Sequence, residues 1–397
     1  MNILYIAYSC CPNSGSEDAI GWNVPLEMSK SHNVYIITKE EHRSSIKKYI
    51  HYNHNPNLHF YFVDIPDIFK KIFKGFLYSG RLNIWHKRAF PIVRQICTDI
   101  KIDIIHQITP VEFRALGDYG RIKEVKFVAG PLGGGEYIPK GLKFYVKSHL
   151  FTELLRRIIN EWYRWFYKCS GRFKRCDCLL FANAETQSYL QLKGDLLTEI
   201  AVDKSFVQNT ETGNYNKTVF LWAGRMIYRK GLDFLFDAME MLPINLPYVV
   251  RLVGEGPEKI KLMKRCKESE KLSKHVVFAG VLPYRCMREE YSKASVFIMP
   301  SLRETTGTVM LEAMSNGLPV IAINGFGSAL MLNDKNGWLY NGNTKDEFIH
   351  ALSDAMLECI TNHSRVIQKG ETVLWKISQY TWQQKANIYN CIYNKLM

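Results

Sequence analysis

Ser301-Leu-Arg-Glu-Thr-Thr-Gly-Thr-Val-Met-Leu-Glu-Ala-Met-Ser-Asn-Gly-Leu-Pro-Val320 is the stretch from which the fold is read. Val296 to Met299, just before it, is a short apolar run with the pattern of a buried strand. Thr305 or Thr306 can cap a helix whose apolar positions begin at Val309, Met310 and Leu311. Asn316 and Gly317 supply the stop, and Pro319 prevents continuation. Val320 to Ile323 is then the next strand. Strand, tight loop, helix and strand in this order make the unit of a parallel nucleotide-binding sheet.

Two carboxylates fall inside this unit. Glu304 lies in the loop before the helix, and Glu312 follows eight residues later, about two turns in. Gly307 and Thr308 offer backbone N–H groups at the helix start, which is a ready anion site. A nucleoside diphosphate carrying a polyol suits such a layout: the helix start takes phosphate, and the carboxylates accept hydrogen bonds from hydroxyls. Two solvated glutamates flanking a helix are the ordinary alternative.

The stretch resembles the Glu-x7-Glu signature of retaining glycosyltransferases of family 4, which have the GT-B fold. The residues that carry the resemblance are Pro300-Ser301, Glu304, Gly307, Glu312-Ala313-Met314, Gly317 and Pro319-Val320, with Thr306 where the family often has an aromatic. The resemblance implies an α/β chain of two Rossmann-like doubly wound domains facing a central cleft. Residues 1–203 would form the acceptor-side domain, 204–217 a linker, 218–380 the donor-nucleotide domain, and 381–397 a helix crossing back to the first domain. Glu304 would position the donor sugar. Thr306, Gly307, Thr308, Val309 and Glu312 would bind the donor.

Length and composition fit this. The chain has 397 residues, 47% hydrophobic and 23% charged, enough for two cores. Its ten cysteines form no C-x-x-C pair, which points to free thiols in a reducing cytoplasm. Asn2 to Tyr8 reads as a first strand rather than a signal peptide, and no apolar run is long enough to span a bilayer. Two segments hold nearly all of the net charge of +14: residues 68–90 with six Lys/Arg and no acid, and residues 140–178 with ten Lys/Arg and three acids. Both are rich in aromatics, including Phe69, Phe73, Phe76, Tyr78, Trp85, Trp162, Tyr163, Trp165, Phe166 and Tyr167. A peripheral contact with an anionic membrane through 68–90 and 140–178 accounts for such segments. No nucleic-acid recognition motif accompanies them, so nucleic acid is not an expected partner.

Along the chain, strands are expected at Asn2 to Tyr8, Val34 to Thr38, His59 to Val63, Ile102 to Gln107, Lys126 to Ala129 and Cys178 to Ala182. Gly15, in the loop after the first strand, resembles the family position that faces the donor. His106 sits near a strand's C-terminal end, where open parallel sheets bind ligands, and the resemblance makes it a candidate near the reacting sugar. A structural histidine is the alternative. Gly130-Pro-Leu-Gly-Gly-Gly-Glu136 resembles an acceptor-side loop, which assigns Gly133, Gly134, Gly135 and Glu136 to the acceptor. Residues 151–168 form a helix with an apolar stripe of Phe151, Leu154, Leu155, Ile158, Ile159, Trp162, Trp165 and Phe166, opposite Arg156, Arg157, Arg164 and Lys168. Either the stripe packs into the core, or it docks on lipid.

In the second half, strands are expected from Val219, at Val249 to Val253 and at Val276 to Ala279. Arg225 and Lys230 lie five residues apart across a turn, and both could reach one diphosphate. The family pattern of Gly-Arg followed by Lys-Gly gives them that role. The loop at Leu282 would border the base. With no Asp-x-Asp in the chain, neither a metal nor another cofactor is expected. The implied activity is a metal-independent, retaining transfer of a sugar from a nucleotide-diphosphate donor (UDP- or GDP-sugar) to a hydroxyl of a glycan or lipid-linked acceptor. Capsule, O-antigen or exopolysaccharide assembly is the natural setting. The alternatives are a catalytically silent sugar-nucleotide-binding subunit of an envelope assembly complex and a GT-B sugar-nucleotide epimerase.

Overall fold

The computed structural model describes residues 1–203 and 217–397, so all but the last residue of the linker expected at 204–217 lies outside the described residues. Two compact units are present. One comprises Met1–Gly135, Phe151–Ala201 and Trp382–Met397; the other comprises Glu136–Leu150 and Val202–Thr381.

The first unit is built on a seven-stranded parallel sheet: β1 (Asn2–Ala7), β2 (Asn33–Lys39), β3 (Leu58–Val63), β4 (Ile104–Thr109), β5 (Lys126–Leu132), β6 (Cys178–Phe181) and β7 (Asp195–Leu196). Their order is β3-β2-β1-β4-β5-β6-β7. The run Ile3 to Ala7 is apolar without alternation because both faces of β1 are covered, and all five residues are fully buried. The second unit repeats the plan with β8 (Thr218–Ala223), β9 (Tyr248–Val253), β10 (Val276–Gly280), β11 (Val296–Met299), β12 (Val320–Ile323) and β13 (Gly337–Tyr340), in the order β10-β9-β8-β11-β12-β13. Each is a doubly wound sheet whose strand order reverses beside its first strand. Helices at Arg43–Tyr52, Tyr78–Asp99, Lys345–Thr361 and His363–Ile377 had no counterpart in the sequence reading.

Three features bear on the sequence expectations: two depart from them, and the third decides an alternative left open. First, Glu136–Leu150 packs with the second unit, not the first. Leu142 and Val146 join its core, the Tyr145 hydroxyl donates to Asp237 at 2.5 Å, and the His149 ring stacks on Tyr228. Second, His106 lies three residues before the end of β4, because the strand runs to Thr109. Third, the helix Leu150–Cys169 does not bury its apolar stripe: its buried residues are Asn160 and Tyr167. Inward-facing polar groups hold it instead. Arg156 and Asn160 donate to the Gly134 carbonyl at 2.7 and 3.0 Å, and the Tyr167 hydroxyl donates to the Arg114 carbonyl at 2.7 Å. Among the described residues no helix is long and apolar enough to cross a membrane. All ten cysteines are free thiols.

Candidate active site

In the second unit the loops leaving β8, β9 and β11 meet at one edge of the sheet, because parallel neighbours end on the same side. They are in backbone contact. The Met226 amide donates to Glu255 O at 2.7 Å, and the Leu302 amide donates to Arg229 O at 2.8 Å. Glycine is required at two of the crossings. Gly254 has φ +128°, and a Cβ there would fall 1.9 Å from Gly224 O; at Gly231, with φ +73°, it would fall 2.0 Å from Pro300 O. The loops are thereby fixed to one another, and with them the side chains at 229, 230 and 304.

Glu304 is the centre of this cluster. Lys230 donates to one carboxylate oxygen, and the Arg229 guanidinium stands 3.7 Å from the other. Burial opposes ionisation of Glu304, but the Lys230 and Arg229 cations, the Lys230 hydrogen bond and the Thr305 amide outweigh it and hold the pKa below its usual value. The carboxylate is thus kept charged. Arg229 was not singled out by sequence reasoning, although its place beside Lys230 in Arg-Lys-Gly was a usable signal.

The helix that follows spans Thr308–Ser315, and its N-cap is Gly307 with φ +92° and no side-chain cap. The expected threonine cap is not formed. Thr306 is buried, and a Cβ on Gly327 would fall 2.5 Å from its Cα. Gly327 also donates its amide to Thr305 O at 2.7 Å. The Gly325-Phe-Gly-Ser turn therefore backs this loop. The first-turn amides of Thr308 and Val309 are left uncapped by side chains, as an anion site requires. Glu312 is the fifth residue of the helix, one turn in rather than two. Its carboxylate accepts from the Tyr291 hydroxyl at 2.9 Å, and burial raises its pKa against the lowering effect of that bond. Tyr291 comes from the helix Tyr284–Lys293, and no sequence motif tied it to Glu312. Arg225 is exposed at the tip of its loop, whereas Lys230 is engaged with Glu304, so the two cations are differently disposed. Leu282 lies between β10 and the 284–293 helix, half-buried.

The candidates in the first unit are placed as follows. Gly15 is the exposed N-cap of the helix Ser16–Met28, with open space around its Cα. Gly133 bonds through its backbone to Val111 and Phe113; Gly134 receives Arg156 and Asn160; the Gly135 amide donates to Thr186 Oγ1 at 3.2 Å. This glycine run is anchored on both sides. Glu136 is buried and clusters with the second unit. His106 departs most from expectation. Its ring is fully buried, with Nε2 2.7 Å from Gly130 O and Nδ1 2.6 Å from the Tyr393 hydroxyl. A carbonyl only accepts, so Nε2 carries the proton and Nδ1 accepts from Tyr393. Tyr5 completes the chain at 2.9 Å from Tyr393. Burial lowers the His106 pKa to about 4. Both nitrogens are used internally, so the imidazole fastens the C-terminal helix Trp382–Leu396 to β4 and offers no nitrogen to a substrate.

Residues 204–372 match the family model described as Glycosyl transferases group 1. The chain is 29% identical over 179 residues to the sulfoquinovosyl transferase of Arabidopsis thaliana, a match covering 43% of this chain and 32% of that protein. It is 28% identical over 152 residues to a GDP-mannose-dependent alpha-(1-6)-phosphatidylinositol monomannoside mannosyltransferase of Mycolicibacterium smegmatis, covering 36% of this chain and 40% of that one. The chain thus spans about a third to two fifths of these relatives' lengths. Among solved structures, the lipopolysaccharide outer core galactosyltransferase WaaB in its apo form aligns over 100% of both chains, with a TM-score of 0.68 and 15% identity. That likeness establishes the fold: two parallel-sheet, Rossmann-like α/β domains of the GT-B type.

Proposed function

We propose that the chain is a retaining, metal-independent glycosyltransferase that moves a sugar from a UDP- or GDP-sugar to a hydroxyl of a glycan or lipid-linked acceptor. The observation that carries this reading is the ionised Glu304, gripped by Lys230 and Arg229 at the foot of the 308–315 helix with Glu312 one turn beyond. In this reading the diphosphate lies on the amides of Gly307, Thr308 and Val309, with Thr306 beneath. Glu312 takes ribose hydroxyls, Leu282 borders the base, and Glu304 orients the donor sugar. An ammonium has three donors, so Lys230 can hold Glu304 and still reach phosphate. Arg225 adds a second cation from its exposed position. Together they would offset the charge that develops on the departing diphosphate without a metal.

The reaction balances without a side-chain nucleophile. The acceptor oxygen bonds to the anomeric carbon on the face from which the diphosphate leaves. The anomeric carbon–phosphate oxygen bond breaks with its electron pair, and the acceptor proton passes to a phosphate oxygen. Gly15 and the anchored Gly133–Gly135 run with Glu136 are assigned to the donor and acceptor sides. The name of one relative, a phosphatidylinositol monomannoside mannosyltransferase, accords with a lipid-linked acceptor.

The test is thermal shift against UDP, GDP, ADP, CMP and dTDP, with and without EDTA, followed by nucleotide release from the matching sugar donor in the presence of acceptor. Stabilisation by one diphosphate regardless of EDTA, with steady release, is expected. Stabilisation without release would replace the enzyme with a silent sugar-nucleotide-binding subunit. Stabilisation lost on adding EDTA would overturn the metal-free site.

A further inference from the structure

The 150–169 helix turns its apolar side outward. Phe151, Leu154, Ile158, Trp162 and Trp165 are each 52% to 77% exposed. They recur every three or four residues, and so form one strip about 21 Å long. The strip cannot be an unplaced core face. Rolling the helix to bury it would break the bonds of Arg156 and Asn160 to Gly134 and of Tyr167 to Arg114.

A second apolar group is exposed in the same unit: Ile68, Ile72 and Leu77, each 54% to 62% exposed. The segments that carry the two groups both contact the first turns of the helix Tyr78–Asp99. Asn83 there meets the Tyr163 and Tyr167 hydroxyls at 3.5 and 3.0 Å, and Gly80, one turn earlier, lies against the Phe73 ring. Cations rim the surface. Lys71, Lys74, Arg157 and Lys168 are exposed, and residues 68–90 contain no acid. Asp67 and Glu161 are exposed beside them, but basic residues outnumber acids in both segments, and so many large apolar side chains among an excess of cations are unusual on a surface that faces only water.

We infer that this face docks on an anionic lipid bilayer. The strip lies in the plane of the interface, with Trp162 and Trp165 at headgroup level and the lysines and arginines against lipid phosphates. The charge selects this occupant. A second copy would bring the same cations together, which costs energy, whereas an anionic surface pairs with them. The inference concerns the first unit alone and does not depend on the transfer reaction.

Co-sedimentation of the full chain with vesicles tests it, using phosphatidylcholine alone and phosphatidylcholine with about one third phosphatidylglycerol, at low and physiological salt. Binding to the anionic vesicles is expected, at least tenfold weaker on neutral ones and weakened by salt. The double variant Ile158→Glu/Trp162→Glu should lose at least tenfold in partition. Ile260→Glu, which changes a still more exposed apolar residue on the second unit, should lose nothing. Unchanged melting of both variants shows that they fold. Equal recovery on both vesicle types, or equal loss in both variants, overturns the proposal. So does a dimer in solution that the Ile158→Glu/Trp162→Glu variant dissolves.

Discussion

At the scale of single residues, Glu304 and His106 show how partners decide what burial does to a titratable group: the cations beside Glu304 keep it charged, and burial keeps His106 neutral. Glu304 is kept ionised by two cations that sequence reasoning credited only in part. Replacing Glu304 or Lys230 by Ala should each remove ~2–4 kcal/mol of transition-state stabilisation, read as a loss in kcat/KM. Near wild-type turnover in either would refute the assignment. His106 has its pKa lowered from the usual 6.5 to about 4, so the fold disfavours its protonated form. Between these values the unfolded chain binds a proton that the folded chain does not, and stability is lost as pH falls. The loss at pH 4 approaches about 3 kcal/mol. His86 shifts in the same direction, to about 3, and adds to the effect. His106→Gln should therefore show a shallower fall of Tm from pH 6.5 to 4.5 than the wild type. Parallel curves would count against the buried neutral ring.

At the scale of elements, the 308–315 helix and the 382–396 helix were both legible as helices, but their attachments were not. The first is capped by a glycine at positive φ rather than by a threonine, because Thr306 is taken into the core beneath Gly327. The second is tied down by the Tyr5–Tyr393–His106 chain and by the buried Lys385, which donates to the Thr198 carbonyl. Tyr393→Phe leaves the Tyr5 hydroxyl and His106 Nδ1 without their shared partner and should cost ~1–3 kcal/mol. Faster hydrogen exchange along 382–396 is the accompanying signature; unchanged protection there would mean that packing, not this chain, holds the helix. The 150–169 helix teaches the opposite lesson. Its period was clear, yet its polar side faces inward, because a backbone carbonyl at Gly134 needs donors more than the core needs leucines.

At the scale of the molecule, the two sheets share one plan, and all of the residues proposed to bind the nucleotide except Gly15 belong to the second unit. A diphosphate present at about 100 times its Kd should then stabilise the protein by about 2.7 kcal/mol. The extra hydrogen-exchange protection should concentrate at 224–231, 254–257 and 300–312. Protection confined to the first unit would move the site.

Period and punctuation in the sequence sufficed for the parallel sheets, because a strand buried on both faces must be apolar throughout, as in Ile3 to Ala7 and Val320 to Ile323. They also sufficed to put Glu304 and Gly307 in the loop before a helix and Glu312 on that helix. Partners distant in sequence were not legible. Tyr291 meets Glu312 from another helix, Tyr393 meets His106 across 287 residues, and Glu136–Leu150 leaves the first unit for the second. Which of two exposed faces a helix buries is settled by the neighbours' unpaired groups, and these exist only once the chain has folded.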